Sequence, residues 1–164
     1  MLQTGQTAPA FSLPDADMQP VDLSSFKGRK FVVLYFYPRD DTPGCTMEAI
    51  DFSDHEDLFL KFDCVILGVS RDDCIAHAAF RDKHGLSITL LSDLDSDVCA
   101  LYGVLREKEF EGVRRNCVVR STFVIDKKGV LRYVAYGVNP RGHAVEIYDV
   151  VKGLKACKKS RATS

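Results

Sequence analysis

Two uninterrupted apolar runs, Phe31-Val32-Val33-Leu34-Tyr35-Phe36 and Cys64-Val65-Ile66-Leu67-Gly68-Val69-Ser70, constrain this chain more than any other feature. A strand with one wet face alternates apolar and polar side chains. A strand without that alternation is covered on both faces, as in a sheet with helices packed on either side. Between the two runs, residues 46–60 carry helix formers, with apolar Met47, Ile50, Leu58 and Phe59 among acids. A parallel strand pair needs a crossover of about a dozen residues or more, and this segment supplies one. The second run leads into Ser70-Arg71-Asp72-Asp73, a helix-start signal, and a helical stretch as far as His84. The order strand, helix, strand, helix predicts a parallel βαβ step.

The rest of the chain extends this pattern. Leu90-Leu91-Ser92-Asp93 precedes a short predicted helix over residues 96–102. Residues 121–125 and 130–136 flank the turn Asp126-Lys127-Lys128-Gly129 and predict an antiparallel hairpin. Ala144, Ile147, Tyr148, Val151 and Leu154 recur three or four apart, the spacing of a closing amphipathic helix. The expected fold is α/β: a three-layer α/β/α domain around a central mixed β-sheet. No linker or internal repeat divides the 164 residues, so a single domain over 1–164 is expected, with 158–164 a frayed basic tail. The net charge of -1 is spread along the chain, which argues against a nucleic-acid or anionic-membrane surface. The first residues lack the basic start and apolar core of a secretory signal, and no apolar run approaches the ~20 residues of a membrane span. A soluble, cytoplasmic protein is expected.

Six cysteines stand at 45, 64, 74, 99, 117 and 157. In a chain of this size reduced thiols are the better expectation, and no pair has zinc-finger or C-x-x-C spacing. Cys45 differs from the others in its position. It follows Tyr37-Pro38-Arg39-Asp40-Asp41-Thr42-Pro43-Gly44, where the first strand hands over to its helix. In the first turn of a helix, unpaired backbone N–H groups and the positive end of the dipole favour a thiolate. Thr42 can bring its hydroxyl beside the sulfur or simply cap the helix, Pro43 fixes the turn, and Gly44 lets the backbone approach closely. His55, His77, His84 and His143 are scattered without metal-ligand spacing and are expected at the surface or at helix caps. Glu48, Asp51, Asp54, Glu56 and Asp57 read as a solvated helix face.

The string Pro38-x-x-x-Thr42-x-x-Cys45 resembles the active-site signature of the peroxiredoxins, and residues 35–46 as a whole are similar to the peroxiredoxin Q, or bacterioferritin comigratory protein, branch. The likeness extends to Gly5-Gln6-Thr7-Ala8-Pro9-Ala10-Phe11, Leu67-Gly68-Val69-Ser70, Leu91-Ser92-Asp93 and Arg120-Ser121-Thr122-Phe123-Val124-Ile125-Asp126. The resemblance implies a thioredoxin-like fold and thiol peroxidase activity with no metal and no organic cofactor. It also implies roles by position. Cys45 would be the peroxidatic nucleophile, and Thr42 would hydrogen-bond thiolate and peroxide. Arg120, on sequence alone equally a surface charge at a strand end, would steady the thiolate and polarise the substrate. Pro38 would shield the pocket and Glu48 would orient arginine side chains. Thioredoxin, glutaredoxin or a low-molecular-weight thiol would be the reductant, and a monomer is the commoner state on this branch.

Ionisation alone is a small part of such catalysis. A thiol of pKa about 8.5 is ~3% ionised at pH 7, so complete ionisation gains roughly thirtyfold. Enzymatic accelerations usually start around 10⁶, so the peroxide must be activated as well. In recycling the sequence departs from its relatives: the position five residues after Cys45, where many carry a resolving cysteine, is Ile50, and the other position used is Arg81. Cys74 and then Cys99 are the candidate resolving cysteines, while Cys64 and Cys117 read as buried filler and Cys157 as a terminal thiol. A cycle in which an external thiol attacks the oxidised Cys45 directly is the alternative. A redox sensor, in which oxidised Cys45 signals to a partner, is the rival class, and a disulfide reductase is disfavoured by the missing C-x-x-C.

Overall fold

The computed structural model describes residues 1–162, without the side chains of Phe110 and residues 156–162. Its strands are β1 (Ser12–Pro14), β2 (Pro20–Asp22), β3 (Phe31–Phe36), β4 (Cys64–Ser70), β5 (Thr89–Ser92), β6 (Leu105–Phe110), β7 (Val113–Val118), β8 (Ser121–Ile125) and β9 (Leu131–Tyr136). The helices are α1 (Pro43–Leu60), α2 (Cys74–His84), α3 (Asp97–Leu101) and α4 (His143–Ala162). A five-stranded sheet of order β5-β4-β3-β8-β9 lies at the centre. β4 runs parallel to both β3 and β5, while β8 is antiparallel to β3 and β9. The sheet is therefore mixed, and the βαβ step and the β8–β9 hairpin are present.

Every residue of β3 is buried, and its side chains divide between two cores. Phe31, Val33 and Tyr35, with Tyr37 beyond the strand, face α1, α2 and α4 through Ala49, Phe52, Phe59, Phe80, Ile147 and Val151. Val32, Leu34 and Phe36 face the other way, against Val98 and Cys99 of α3, Tyr102, and Phe11 and Leu13 of the N-terminal segment. Right-handed crossovers from β3 to β4 and from β4 to β5 put α1 and α2 on one face. This is the physical content of a strand without alternation: both faces are interior. Gly68 interrupts the β4 run because it pairs with Tyr35 across the strands, where a Cβ would sit 2.7 Å from Tyr35 Cζ.

Two expectations are corrected. The sequence reading puts His77 and His143 at the surface or at caps, yet both are buried; His77 lies between Asp40 and the Leu91 carbonyl, and His143 Nε2 is 2.7 Å from Thr122 Oγ1. Partners for both ring nitrogens remove the cost of burying His77. Glu48, read with the solvated face of α1, is also fully buried. The hairpin β6–β7 is an addition that no apolar pattern in the sequence announces. Its strands carry Arg106, Glu107, Lys108, Glu109, Arg114 and Arg115, so no apolar period marks it, and among the described residues its two strands pair only with each other. Its turn, Glu111-Gly112, has positive φ at both residues, as a two-residue type I′ connection needs.

α4 continues as helix through Ala162, whereas Thr163 and Ser164, the end of the expected frayed tail, lie outside the described residues. No helix among the described residues is long and apolar enough to cross a membrane.

Candidate active site

Thr42 is the N-cap of α1, with extended backbone (φ -93°, ψ 154°), and Pro43 occupies the first helical position, where a missing N–H costs nothing. Cys45 thus falls in the first turn, beyond the carboxyl end of β3, and the residue is 1% exposed. The Thr42 hydroxyl donates to the Arg39 carbonyl at 3.0 Å. A hydroxyl has one proton, so the expected bond from Thr42 to the sulfur is not made in this arrangement; a rotation about χ1 separates the two.

Arg120 comes from the opposite side of the sheet's carboxyl edge. It immediately precedes β8, and its carbonyl accepts from Val138 N–H at 2.9 Å. Its guanidinium bridges two groups of α1: Nη2 donates to Cys45 Sγ at 3.3 Å and Nη1 to Glu48 Oε1 at 2.8 Å. A planar fork holds both bonds at once, which a lysine ammonium would do poorly. Gly44 makes the approach possible, because a Cβ there would stand 3.1 Å from Arg120 Nη2 and 3.6 Å from Pro140 Cγ. Pro140, in the β9–α4 loop, therefore walls this side. No sequence signal pointed to it, since the loop is brought here only by the antiparallel return of β9. Pro38 stands exposed just beyond β3.

Burial pushes the Glu48 carboxyl up to about 7, and the adjacent Arg120 charge only partly offsets that rise. Burial alone would pull the Arg120 guanidinium down, but the charges of Glu48 and Cys45 outweigh it and hold Arg120 above its usual range. The same ion pair therefore acts in opposite senses on its two partners, and Arg120 is the one that stays charged. Tyr35, raised far above the ordinary phenol range first by burial and then by Glu48 and Cys45, completes the floor. Tyr35 Oη and Glu48 Oε2 are buried without a hydrogen-bond partner among the described residues.

The remaining cysteines separate clearly. Cys74 opens α2, half-buried, on the same face of the sheet as α1. Cys99 lies in the opposite core with the sheet between it and Cys45, and burial followed by Asp93 pushes its thiol far up. Burial pushes the Cys64 thiol up to about 12. Cys117 sits half-buried on β7 of the separate hairpin, and the Cys157 side chain lies outside the described residues.

A thiol in a helix's first turn, an arginine fork on its sulfur, and the sheet order β5-β4-β3-β8-β9 agree with what comparison with known proteins finds: the chain belongs to the AhpC/TSA family, which matches residues 4–134. Peroxiredoxin Bcp of Bacillus subtilis is 39% identical over 153 residues, 93% of this chain and 97% of that protein. Peroxiredoxin Bcp of Escherichia coli is 41% identical over 150 residues, 92% and 93% of the two. Among solved structures, the Xanthomonas campestris bacterioferritin comigratory protein, studied for alkyl peroxide reduction, superposes with a TM-score of 0.87 at 32% identity, covering 93% of this chain and 99% of that one. The fold is the thioredoxin-like peroxiredoxin fold, the branch is that of peroxiredoxin Bcp and peroxiredoxin Q, and the enzyme is a thiol peroxidase.

Proposed function

We propose that Cys45 is the peroxidatic nucleophile of a cytoplasmic, monomeric, single-domain enzyme that reduces hydrogen peroxide and organic hydroperoxides. The observation that carries this reading is the Arg120 fork, 3.3 Å from Cys45 Sγ and 2.8 Å from Glu48 Oε1. The thiolate attacks the terminal oxygen of ROOH, an S–O bond forms as O–O breaks, and the departing RO⁻ takes a proton to leave as ROH. Cys45 is left as a sulfenic acid. Arg120 lowers the energy of both anions along this path, the thiolate before attack and the alkoxide after it. Glu48 holds the fork in plane. Thr42, after rotating away from Arg39, supplies a hydroxyl to the peroxide, and Gly44 and Pro38 shape the opening.

Recycling then consumes two reducing equivalents from a thiol. Cys74 is the resolving candidate favoured by position, because it shares the α1 face; direct attack by thioredoxin, glutaredoxin or a small thiol is the route without it. The relative studied for alkyl peroxide reduction supports a hydroperoxide range beyond hydrogen peroxide. Peroxide consumption in the presence of dithiothreitol, and separately a thioredoxin system, tests the reading. Cys45→Ser is expected to abolish it, and retained turnover in that variant would end the assignment.

A further inference from the structure

The segment from Tyr37 to Thr42 joins β3 to the Cys45 helix, and it is tied down by side chains of its own and of α2. Tyr37 Oη donates to Asp40 Oδ1 at 2.6 Å, and Asp40 Oδ2 lies 2.6 Å from His77 Nδ1. His77 Nε2 is 2.8 Å from the Leu91 carbonyl, which only accepts, so Nε2 carries a proton. The Asp40 backbone N–H donates to Asp72 Oδ2 at 2.9 Å, and Ser70 Oγ donates to the same oxygen at 2.6 Å. On the outer side Asp41, at φ 59°, accepts from Lys83 Nζ at 2.7 Å and lies 2.9 Å from His84 Nε2. The His77 side chain is wholly buried and that of Asp40 is 6% exposed. Asp40, Asp72 and His77 offer ligand atoms within 4.8 Å of one another, but the short contacts of Asp40 are hydrogen bonds already.

We propose that Asp40 and His77 are positioning residues for the reaction: their hydrogen bond, with that from Tyr37, clamps the 37–42 loop to α2 and divides Cys45 between a closed turn that meets peroxide and an open turn that meets a thiol. The inference rests on Cys45 being the reacting cysteine. Cys45 is 1% exposed, so peroxide, two oxygens long, can reach the sulfur where a reductant thiol cannot. For the second half-reaction the first turn of α1 has to open, and the loop that feeds it is the hinge. Its strongest buried anchor is Asp40. The Asp41 contacts are exposed and correspondingly weak. Loosening the Asp40 anchor therefore slows one half-reaction and speeds the other, which a loss of general stability does not do.

Three variants test this: Asp40→Ala, Asp40→Asn and Tyr37→Phe, each first shown to be folded by circular dichroism. In Asp40→Asn the new side-chain amide can accept from Tyr37 through its oxygen and donate through its nitrogen to Nδ1 of a neutral His77 ring, so this variant keeps both bonds. Two rates are read: oxidation of reduced Cys45 by hydrogen peroxide in rapid mixing, and trapping of the resulting sulfenic acid by dimedone. For Asp40→Ala, oxidation is expected to fall about tenfold or more through lost orientation, while trapping rises about threefold or more. Asp40→Asn should recover most of both rates, and Tyr37→Phe, losing one bond of the two, should move both rates in the same opposed senses by less. If Asp40→Ala does not fold, Tyr37→Phe carries the test. Unchanged rates, two rates that fall together, or Asp40→Asn as impaired as Asp40→Ala would overturn the inference. Oxidation that never occurs at Cys45 of the unaltered protein would remove the reading beneath it, and that result is distinguishable because it precedes any variant.

Discussion

Replacing Arg120 by Met keeps most of the side-chain volume and removes both donors of the fork. The structure sets the size of the effect. At 3.3 Å from Cys45 Sγ, a unit charge pair at an effective dielectric of about 20 interacts by about 5 kcal/mol, an upper bound because the guanidinium charge is delocalised and shared with Glu48. Mutational experience with hydrogen bonds to charged groups gives about 1.5–3 kcal/mol. The Arg120 side chain is only 14% exposed, so solvent screening removes little of it. At 1.36 kcal/mol per decade, Cys45 oxidation in Arg120→Met should slow by about tenfold to about 150-fold. Glu48, left in its buried position, takes up a proton instead of standing as an unpaired charge, which spares the fold part of the penalty of breaking a buried pair. The assay is rapid mixing of reduced protein with hydrogen peroxide, followed by quenching with a thiol-blocking reagent, and with folding checked by near-ultraviolet circular dichroism. Arg120→Lys should fall between, since it keeps the charge and loses the fork. A folded Arg120→Met that reacts within a factor of about three of the unaltered protein would refute the electrostatic role assigned to Arg120.

Other consequences can be checked independently. Gly68→Ala forces a methyl to 2.7 Å from the ring of Tyr35, which is stacked on Phe52 at 4.8 Å and cannot swing aside; a loss of about 1–3 kcal/mol in urea unfolding is expected, and a neutral change would mean the strand pair is looser than it stands here. Glu48 has a folded-state pKa raised from 4.5 to about 7, so between those values the folded chain holds a proton that the unfolded chain releases. Stability attributable to Glu48 is therefore greatest at acid pH and is lost as pH rises through that window, by about 3 kcal/mol in all. The stability of Glu48→Gln relative to the unaltered protein should accordingly improve from about pH 4.5 to about pH 8, and a difference that does not change with pH would contradict the assignment. Cys99→Ala should sustain peroxide turnover, because the sheet separates Cys99 from Cys45; a collapse of turnover with intact folding would reverse that conclusion. If an intramolecular disulfide forms, peptide mapping of the oxidised protein should find Cys45 joined to Cys74.

The parts of the fold that were legible are those with a strong local signal. β3 and β4 announce themselves as unbroken apolar runs, the helix after β4 by its start signal, the β8–β9 hairpin by its turn, and α4 by apolar spacing. The hairpin β6–β7 was invisible because its strands are charged and exposed on most positions, and its only signal is Glu111-Gly112, a weak turn pair. In the site, Cys45 could be singled out because strand, turn and helix are contiguous in the chain. Arg120 could be placed only by resemblance, since a residue 75 positions away reaches the sulfur through sheet order, which no local pattern encodes. Glu48 misled in a specific way: on α1 it sits among Asp51, Asp54, Glu56 and Asp57, yet it is the one of these that turns inward to Arg120. His77 and His143 failed for the same reason. Their partners, Asp40 and the Leu91 carbonyl for one and Thr122 for the other, come from different elements. Buried polar residues are predicted poorly because what makes them tolerable is a tertiary partner.

The mechanism turns on which sulfur meets the peroxide. One equivalent of hydrogen peroxide added to the fully reduced protein, followed by intact mass and peptide mapping, answers that directly. The expected result is either the gain of one oxygen at Cys45 or the loss of two hydrogens with Cys45 in the new disulfide. Oxidation confined to other cysteines, with Cys45 unchanged, would contradict it.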